Sequence, residues 1–465
     1  MKSKLFYISG ILLLIFFWSV LSFVFTTDII PAPFSVFKNI LFLLKDKFFL
    51  FNLLMTFVRS ILGFLSALAL GFIIGVLTGS IKAFEKSLFV PVMLLQGAPT
   101  VLWVIPLVLI IGVNGLSAGA FVFLIALPLV ILNIQEGTKA IGRSQKEMFK
   151  VYADKKLLKF FYLLLPSLSA YLKSVFILGV VLSLKSSVLG EWFAAKNGVG
   201  RVINEYFYTF DMLSFYSVSV VYIMLIAGAA FGVQKISGTL FARKRTLKEP
   251  DFYFKIIEPE KKSSFLKMEH LSFSYADKII LNDINFKLNK PENIILTGES
   301  GAGKTTFAKI AFGLVKPVSG NIAKPENGTL IFQDDIFVDN IDVLSNAKLP
   351  ALFKKDKNPR ARAFYYLEKC GLKDCYNYFP DELSGGMKKR LSFARSLVFN
   401  PSFVILDEPF VNLHKDAREE LWDLYFELFS ERKIPSIIIT HYPEELSERN
   451  LTVYELKDGK ILKKS

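Results

Sequence analysis

The stretch Asn293-Ile294-Ile295-Leu296-Thr297-Gly298-Glu299-Ser300-Gly301-Ala302-Gly303-Lys304-Thr305 decides the fold of half of this chain. Its first five residues are a short apolar run of the kind that fills a buried strand. A glycine-rich loop follows, and residues 305–312 read as a helix. Strand, glycine loop and helix in that order let backbone N–H groups curl around phosphates at a helix N-terminus. Lys304 then neutralises β- and γ-phosphate charge, and Thr305 offers a hydroxyl to Mg2+. The expected nucleotide contacts are Gly298, Glu299, Ser300, Gly301, Ala302, Gly303, Lys304, Thr305 and Thr306.

Further along, Phe403-Val404-Ile405-Leu406 reads as a second buried strand. It ends at Asp407, suited to organise a Mg2+ shell, and Glu408 follows, suited to polarise an attacking water. Such a pair after a strand is common by itself. Its order after the glycine loop gives it weight. Leu383-Ser384-Gly385-Gly386 stands between the two, and His441 follows Ile437-Ile438-Ile439-Thr440.

With these motifs in order, residues 266–465 resemble the nucleotide-binding domain of ABC transporters. The resemblance implies an α/β P-loop NTPase over 265–465 with ATP and Mg2+ as cofactors. It makes Lys304, Glu408 and His441 the catalytic residues, with His441 contacting the γ-phosphate. Thr305, Gln333 and Asp407 become the Mg2+ residues. Gln333, after Leu330-Ile331-Phe332, would also sense the membrane half. Tyr275 would stack on adenine, although a strand-edge Tyr is an ordinary feature of β-propensity. Ser384, Gly385 and Gly386 would cap a γ-phosphate held by an opposing subunit, so the resemblance implies a second copy of the chain. Met387 stands where Gln is commoner. One departure is clear: after Asp407-Glu408-Pro409-Phe410 the family has Leu-Asp, and this chain has Val411-Asn412-Leu413-His414. The acid that helps couple the two sites is absent there.

The other half is different in kind. The chain has 465 residues, 52% hydrophobic and 14% aromatic, with mean hydropathy +0.42. Those values point to membrane spans, and residues 1–240 hold most of the apolar sequence. Six candidate spans read as 5–25, 54–77, 88–113, 118–134, 171–189 and 215–233. The first is longer than a secretory signal core and reads as retained. The net charge of +15 fits this better than it fits nucleic-acid binding, because Lys and Arg gather in loops on the cytoplasmic side. The loop 135–160 and the stretch after the last span are both basic. Both therefore belong inside, with the N-terminus, in a multi-pass protein of the cell membrane. Gly71, Gly75 and Gly79 permit close helix packing. Arg59 and Lys185 are charges within spans, which mark pathways or pair with a partner. Cys370 and Cys375 lie in the cytoplasmic half and are expected as free thiols.

Glu147, Ala153 and Leu165-Pro166 partly match the coupling loop (140–166) of bacterial importer permeases, in which a Glu, a Gly and a Leu-Pro pair recur at fixed spacing. Here Met148-Phe149 replace two alanines. With Pro31-Ala32-Pro33, the stretch from Pro99 to Pro106, Gly190-Glu191 and Gly198-Val199-Gly200, residues 25–235 resemble the nitrate/sulfonate/taurine branch of these permeases. The whole then reads as an all-α six-span permease domain of type I importer kind (1–240), a linker (241–264) and the ATPase domain (265–465). The resemblance implies ATP-driven import of a small solute of the nitrate, sulfonate, taurine or thiamine-precursor kind. A separate solute-binding protein would deliver it, and membrane lipid would surround the permease. An exporter and an ATP-gated membrane regulator that moves no solute are the alternatives. Export is disfavoured by the segment 147–166.

Overall fold

The computed structural model describes all residues except 1, 26–27, 153–154, 244–265, 277, 289–291, 324–326, 412, 431–432, 450 and 465. The chain divides into two units: Met1–Ala140 with Leu168–Ala242, and Ile141–Ser167 with Arg243–Ser465. The expected linker lies almost wholly outside the described residues.

The first unit is helical. It contains α1 (Lys2–Val24), α2 (Pro33–Leu43), α3 (Lys47–Ser80), α4 (Lys82–Gly97), α5 (Val101–Ile111) and α6 (Gly115–Lys139). The segment that follows α6 carries α7 (Arg143–Tyr152) and the short turns α8 (Lys156–Lys159) and α9 (Leu165–Ser167), which belong to the second unit. The first unit then resumes with α10 (Ser169–Ala194), α11 (Val199–Tyr208) and α12 (Met212–Leu240). Several starts are written locally. Pro33 opens α2. The Asp46 carboxylate accepts the N–H groups of Phe48 and Phe49 at the head of α3, and Asn114 does the same for Leu116 and Ser117 at the head of α6. Both are caps of the kind these residue types supply.

Among the described residues four helices, α3, α6, α10 and α12, are long and apolar enough to cross a membrane. The expected continuous span 88–113 does not form. It is split into α4 and α5, which bend by 102° at residues 98–100. Ala98 is extended and Pro99 has no N–H to continue the ladder, so the apolar run breaks where its backbone cannot stay helical.

The glycines of α3 let it approach α6. An added Cβ at Gly71, Gly75 or Gly79 would fall 2.6–2.8 Å from Val130, Ile134 or Thr138. Arg59 of α3 pairs with Glu191 of α10 at 2.8 Å, and Glu191 is fully buried. The same carboxylate accepts from Thr56 Oγ1 (2.8 Å) and from the Gly200 N–H (3.1 Å). Arg59 also donates to the Asn197 carbonyl (2.8 Å) and to its side-chain oxygen. Asn52 accepts from the Gly198 N–H (2.6 Å), and Thr56 from the Val199 N–H (2.8 Å). The turn at 197–200 is thus sewn to α3 and α10. Gly198 sits at φ +109°, and a Cβ there would strike the Glu191 carboxyl carbon at 2.3 Å.

The second unit is built on two sheets. One has order β2-β1-β4, from β1 (Leu266–Tyr275), β2 (Lys278–Leu288) and β4 (Ser319–Ala323), all antiparallel. The other has order β5-β6-β7-β3-β8-β9, from β3 (Asn293–Thr297), β5 (Gly328–Ile331), β6 (Phe403–Asp407), β7 (Ser436–Ile439), β8 (Thr452–Lys457) and β9 (Lys460–Lys463). Its first five strands run parallel, and β9 is antiparallel to β8. The central strands are buried on both faces, which is why they read as unbroken apolar runs. Phe403, Ile405, Ile437 and Ile439 face the core that holds Phe307 of α13 (Lys304–Ala311). Val404, Leu406 and Ile438 face the opposite core, under α14 (Val343–Phe353), α15 (Pro359–Lys369), α16 (Gly385–Val398) and α17 (Lys415–Tyr425). Alternation along each strand assigns the faces. Cys370 and Cys375 are free thiols, and burial pushes Cys370 up to about 12.

Candidate nucleotide site and coupling segment

β3 delivers the chain to Gly298 at the end of the central sheet. A Cβ on Gly298 would meet the Leu456 carbonyl at 2.5 Å, and one on Gly303, at φ +106°, would meet Ile280 Cγ2 at 2.6 Å. The loop therefore has a shape that only glycine allows at these positions. Glu299, Ser300 and Gly301 are exposed, Ala302 is half-buried, and Thr306 is buried in α13.

Lys304 opens α13. Its ammonium donates to the carbonyls of Gly298 (2.8 Å) and Glu299 (3.0 Å), lies 3.4 Å from His441 Nε2 and 4.0 Å from Glu408 Oε1. Glu408 Oε1 is 2.8 Å from His441 Nε2. Glu408 has φ +47°, and its N–H donates to the Ile439 carbonyl at 3.0 Å. The end of β6 is thereby tied to the end of β7, just before His441. Beside this group Thr305 Oγ1 donates to Asp407 Oδ1 at 3.1 Å. Burial lowers the Lys304 ammonium, and the Glu408 and Asp407 carboxylates oppose that shift. Burial raises Asp407 to about 6; the Thr305 hydrogen bond works against it, and Glu408 adds to it.

The structure brings together Lys304, Thr305, Asp407, Glu408 and His441. Tyr275, Gln333, Ser384, Gly385 and Gly386 stand outside that network. Tyr275 is 52% exposed at the end of β1, with its ring edge-on to Phe273 at 4.8 Å. Gln333 is exposed, and its backbone carbonyl accepts from Lys389 Nζ at 2.8 Å. Ser384 caps α16, accepting the Met387 N–H at 3.3 Å, and Ser384 and Gly385 are exposed. Gly386 is half-buried in the first turn of α16. His414 is the exposed residue that precedes α17.

The donor set suits a hard divalent cation. Thr305 and Asp407 offer adjacent oxygens, and burial disfavours the charge on the Asp407 carboxylate. Among the described residues no group of three or more His, Cys, Asp or Glu could hold a metal alone. Mg2+ takes one or two protein oxygens and completes its shell with phosphate and water, so Thr305 and Asp407 would suffice to hold it.

The segment expected to couple the two halves has its own geometry, within the second unit. Glu147 accepts from Arg143 Nε at 2.9 Å and from Lys309 Nζ of α13 at 3.0 Å. Gln145 donates to the Phe337 carbonyl (2.8 Å) and Lys150 to the Gly313 carbonyl (3.0 Å). Met148 and Phe149 are fully buried among Ile336, Val338, Leu349, Phe353 and Phe399. Tyr152 packs edge-on to Phe399 and accepts from Thr329 Oγ1 at 3.3 Å. The Pro166 carbonyl accepts from Asn340 Nδ2 at 3.1 Å. Ala153 lies outside the described residues.

Sequence reading missed Gln145, Lys150, Tyr152, Lys309 and Lys389. The buried face of α7 had a signal, since Met148, Phe149 and Tyr152 stand at helical spacing. The hydrogen-bond partners had none.

Residues 281–411 match the family model described as ABC transporter, and residues 67–238 the one described as binding-protein-dependent transport system inner membrane component. The uncharacterized ABC transporter ATP-binding protein YvrO of Bacillus subtilis (strain 168) is 34% identical over 220 residues, 42% of this chain and 95% of that protein. The lipoprotein-releasing system ATP-binding protein LolD of Wigglesworthia glossinidia brevipalpis is 32% identical over 223 residues, 43% of this chain and 97% of that protein. The aliphatic sulfonates import ATP-binding protein SsuB 1 of Paracoccus denitrificans (strain Pd 1222) is 32% identical over 204 residues, 43% of this chain and 82% of that protein. With both family matches in one polypeptide, the chain belongs to the ABC transporter family and joins a permease of the binding-protein-dependent kind to an ABC ATPase cassette.

Proposed function

We propose that two copies of this chain form an ATP-driven importer in the cell membrane. Each copy would carry six spans, with α4 and α5 together as one, and a cytoplasmic cassette. The observation that carries this reading is the seating of α7 in the cassette unit. Met148 and Phe149 are buried beside the stretch 336–338, three residues past Gln333, and Glu147 is bonded to Lys309 of the helix that begins with Lys304. Nucleotide contacts at one end of α13 can thus reach the segment that leads directly into α10.

Lys304, the loop N–H groups and Thr306 would bind the phosphates, with Tyr275 against the base. Ser384, Gly385 and Gly386 would complete the site of the other copy, at the N-terminus of α16. Thr305, Asp407 and Gln333 would hold Mg2+, which supplies charge neutralisation to the phosphates. Glu408 is engaged by His441 and lies near Lys304. A bound triphosphate would offer Lys304 and His441 a more highly charged partner. They turn to it, and the Glu408 carboxylate is free to take a proton from the attacking water. Closure of the pair follows from tighter binding of ATP to the closed state.

The cassette alone does not set direction, since its relatives include proteins named for lipoprotein release as well as sulfonate import. The permease match over 67–238 and the segment 147–166 favour import. A solute-binding protein would deliver a small solute of the nitrate, sulfonate, taurine or thiamine-precursor kind. The test is reconstitution of the full chain in proteoliposomes with binding proteins captured on it. The reading expects ATP-driven accumulation of solute toward the cassette side, abolished by Glu408→Gln. Solute movement away from that side, or an ATPase indifferent to every solute and binding protein tried, overturns it.

A further inference from the structure

In the four long apolar helices, the charged side chains more than about two turns from either end are Arg59 and Lys185. Arg59 is neutralised by buried Glu191 at 2.8 Å. Lys185 is exposed and makes no ion pair or hydrogen bond with any described residue. It stands about 24 Å from the first residue of α10 and about 14 Å from the last, at 1.5 Å per residue. An ammonium at that depth is costly in hydrocarbon and faces water or a partner charge instead.

The neighbourhood says which side this is. Lys185 lies three residues after Leu182 and four before Leu189, so the three share one face of α10. Leu182 and Leu189 pack against the cluster of Val104, Phe121, Ile125 and Ala194, together with Trp103 of α5. α5 is the second half of the helix pair broken by 102°, and interrupted helices within a membrane border solute sites rather than lipid. The Trp103 indole N–H is buried there and donates to no described group. The unmet groups on α5 and α10 near this contact include the Lys185 ammonium and the Trp103 indole N–H, with the buried Ser183 hydroxyl two residues from Lys185.

We propose that the Lys185 face of α10, bordered by α5, lines the solute path and recognises anions, so that the permease selects by charge in addition to any binding protein. This rests on the importer reading and narrows it to negatively charged solutes, leaving out neutral and cationic ones.

The test needs neither solute nor ATP. In the full chain with Cys375→Ser, where Cys370 stays buried, cysteine is placed at Leu178 or Leu182 on the same face. Vesicles are treated with membrane-impermeant methanethiosulfonates, one anionic and one cationic. Both reagents should react, the anionic one about tenfold faster, as electrostatic steering gives. Lys185→Met and Lys185→Gln should each bring the ratio to about one, and Lys185→Arg should keep it. Reaction only with a membrane-permeant maleimide would put this face against lipid or a second copy and overturn the proposal. So would a ratio that neither neutral variant changes. ATP-driven uptake and its loss in Glu408→Gln bear on the importer reading alone, so either idea can fail without the other.

Discussion

Each unit holds a buried carboxylate beside a cation, and the two sites are finished to different degrees. Glu191 is saturated: an arginine, a hydroxyl and a backbone N–H all donate to it, and glycines hold the turn against it. Asp407 and Glu408 are not. Asp407 has one hydroxyl and a raised pKa, and Glu408 has a histidine with the nearest ammonium at 4.0 Å. A buried charge left short of partners is costly, and a protein keeps one where something else is to arrive.

Four experiments bear on that contrast. Glu408→Gln should leave the fold intact and lower ATP hydrolysis by about 10²–10⁴-fold, measured as phosphate release. Lys304→Ala should abolish nucleotide-stimulated hydrolysis as well. Glu191→Ala should do the reverse, stranding Arg59 and costing about 3–5 kcal/mol in detergent unfolding. A Glu191 variant as stable as the parent would remove the distinction. Gly303→Ala forces a side chain into left-handed backbone, at about 1–2 kcal/mol. Nucleotide affinity should drop about tenfold by titration.

The smallest effect is a pH dependence. Asp407 holds its proton more tightly folded than unfolded, about 6 against an ordinary 3.8. Stability from this group therefore falls as pH rises through that window, and the penalty is complete above it. Mg2+ should relieve it, so the metal should raise Tm about 2 °C more at about pH 7.5 than at about pH 5. Equal shifts would mean that Asp407 is not the ligand.

What the sequence made legible divides along the same line. The strand, glycine loop and helix around Lys304 are contiguous, and the structure has β3, the loop and α13 there. The strands before Asp407 and His441 were equally readable, because parallel central strands are apolar throughout. The break at residues 98–100 was missed because the run 88–113 has a span's length, and length outweighed Pro99. Glu191 as the partner of Arg59 was unreadable. The two are 132 residues apart, and only the packing of α3 on α10 brings them together. The same holds for Glu147 and Lys309. Local chemistry is written in spacing, whereas pairing between elements is written in the fold.

The seating of α7 has a practical consequence. Residues 266–465 look like a cassette that could be expressed alone, yet Ile336, Val338, Leu349, Phe353 and Phe399 are covered by Met148, Phe149, Tyr152 and Leu163. A fragment cut at the linker would bare that apolar surface to water, and patches of that kind drive self-association. The soluble piece of this transporter is therefore discontinuous in sequence. A well-behaved preparation would carry residues 141–167 grafted back onto it.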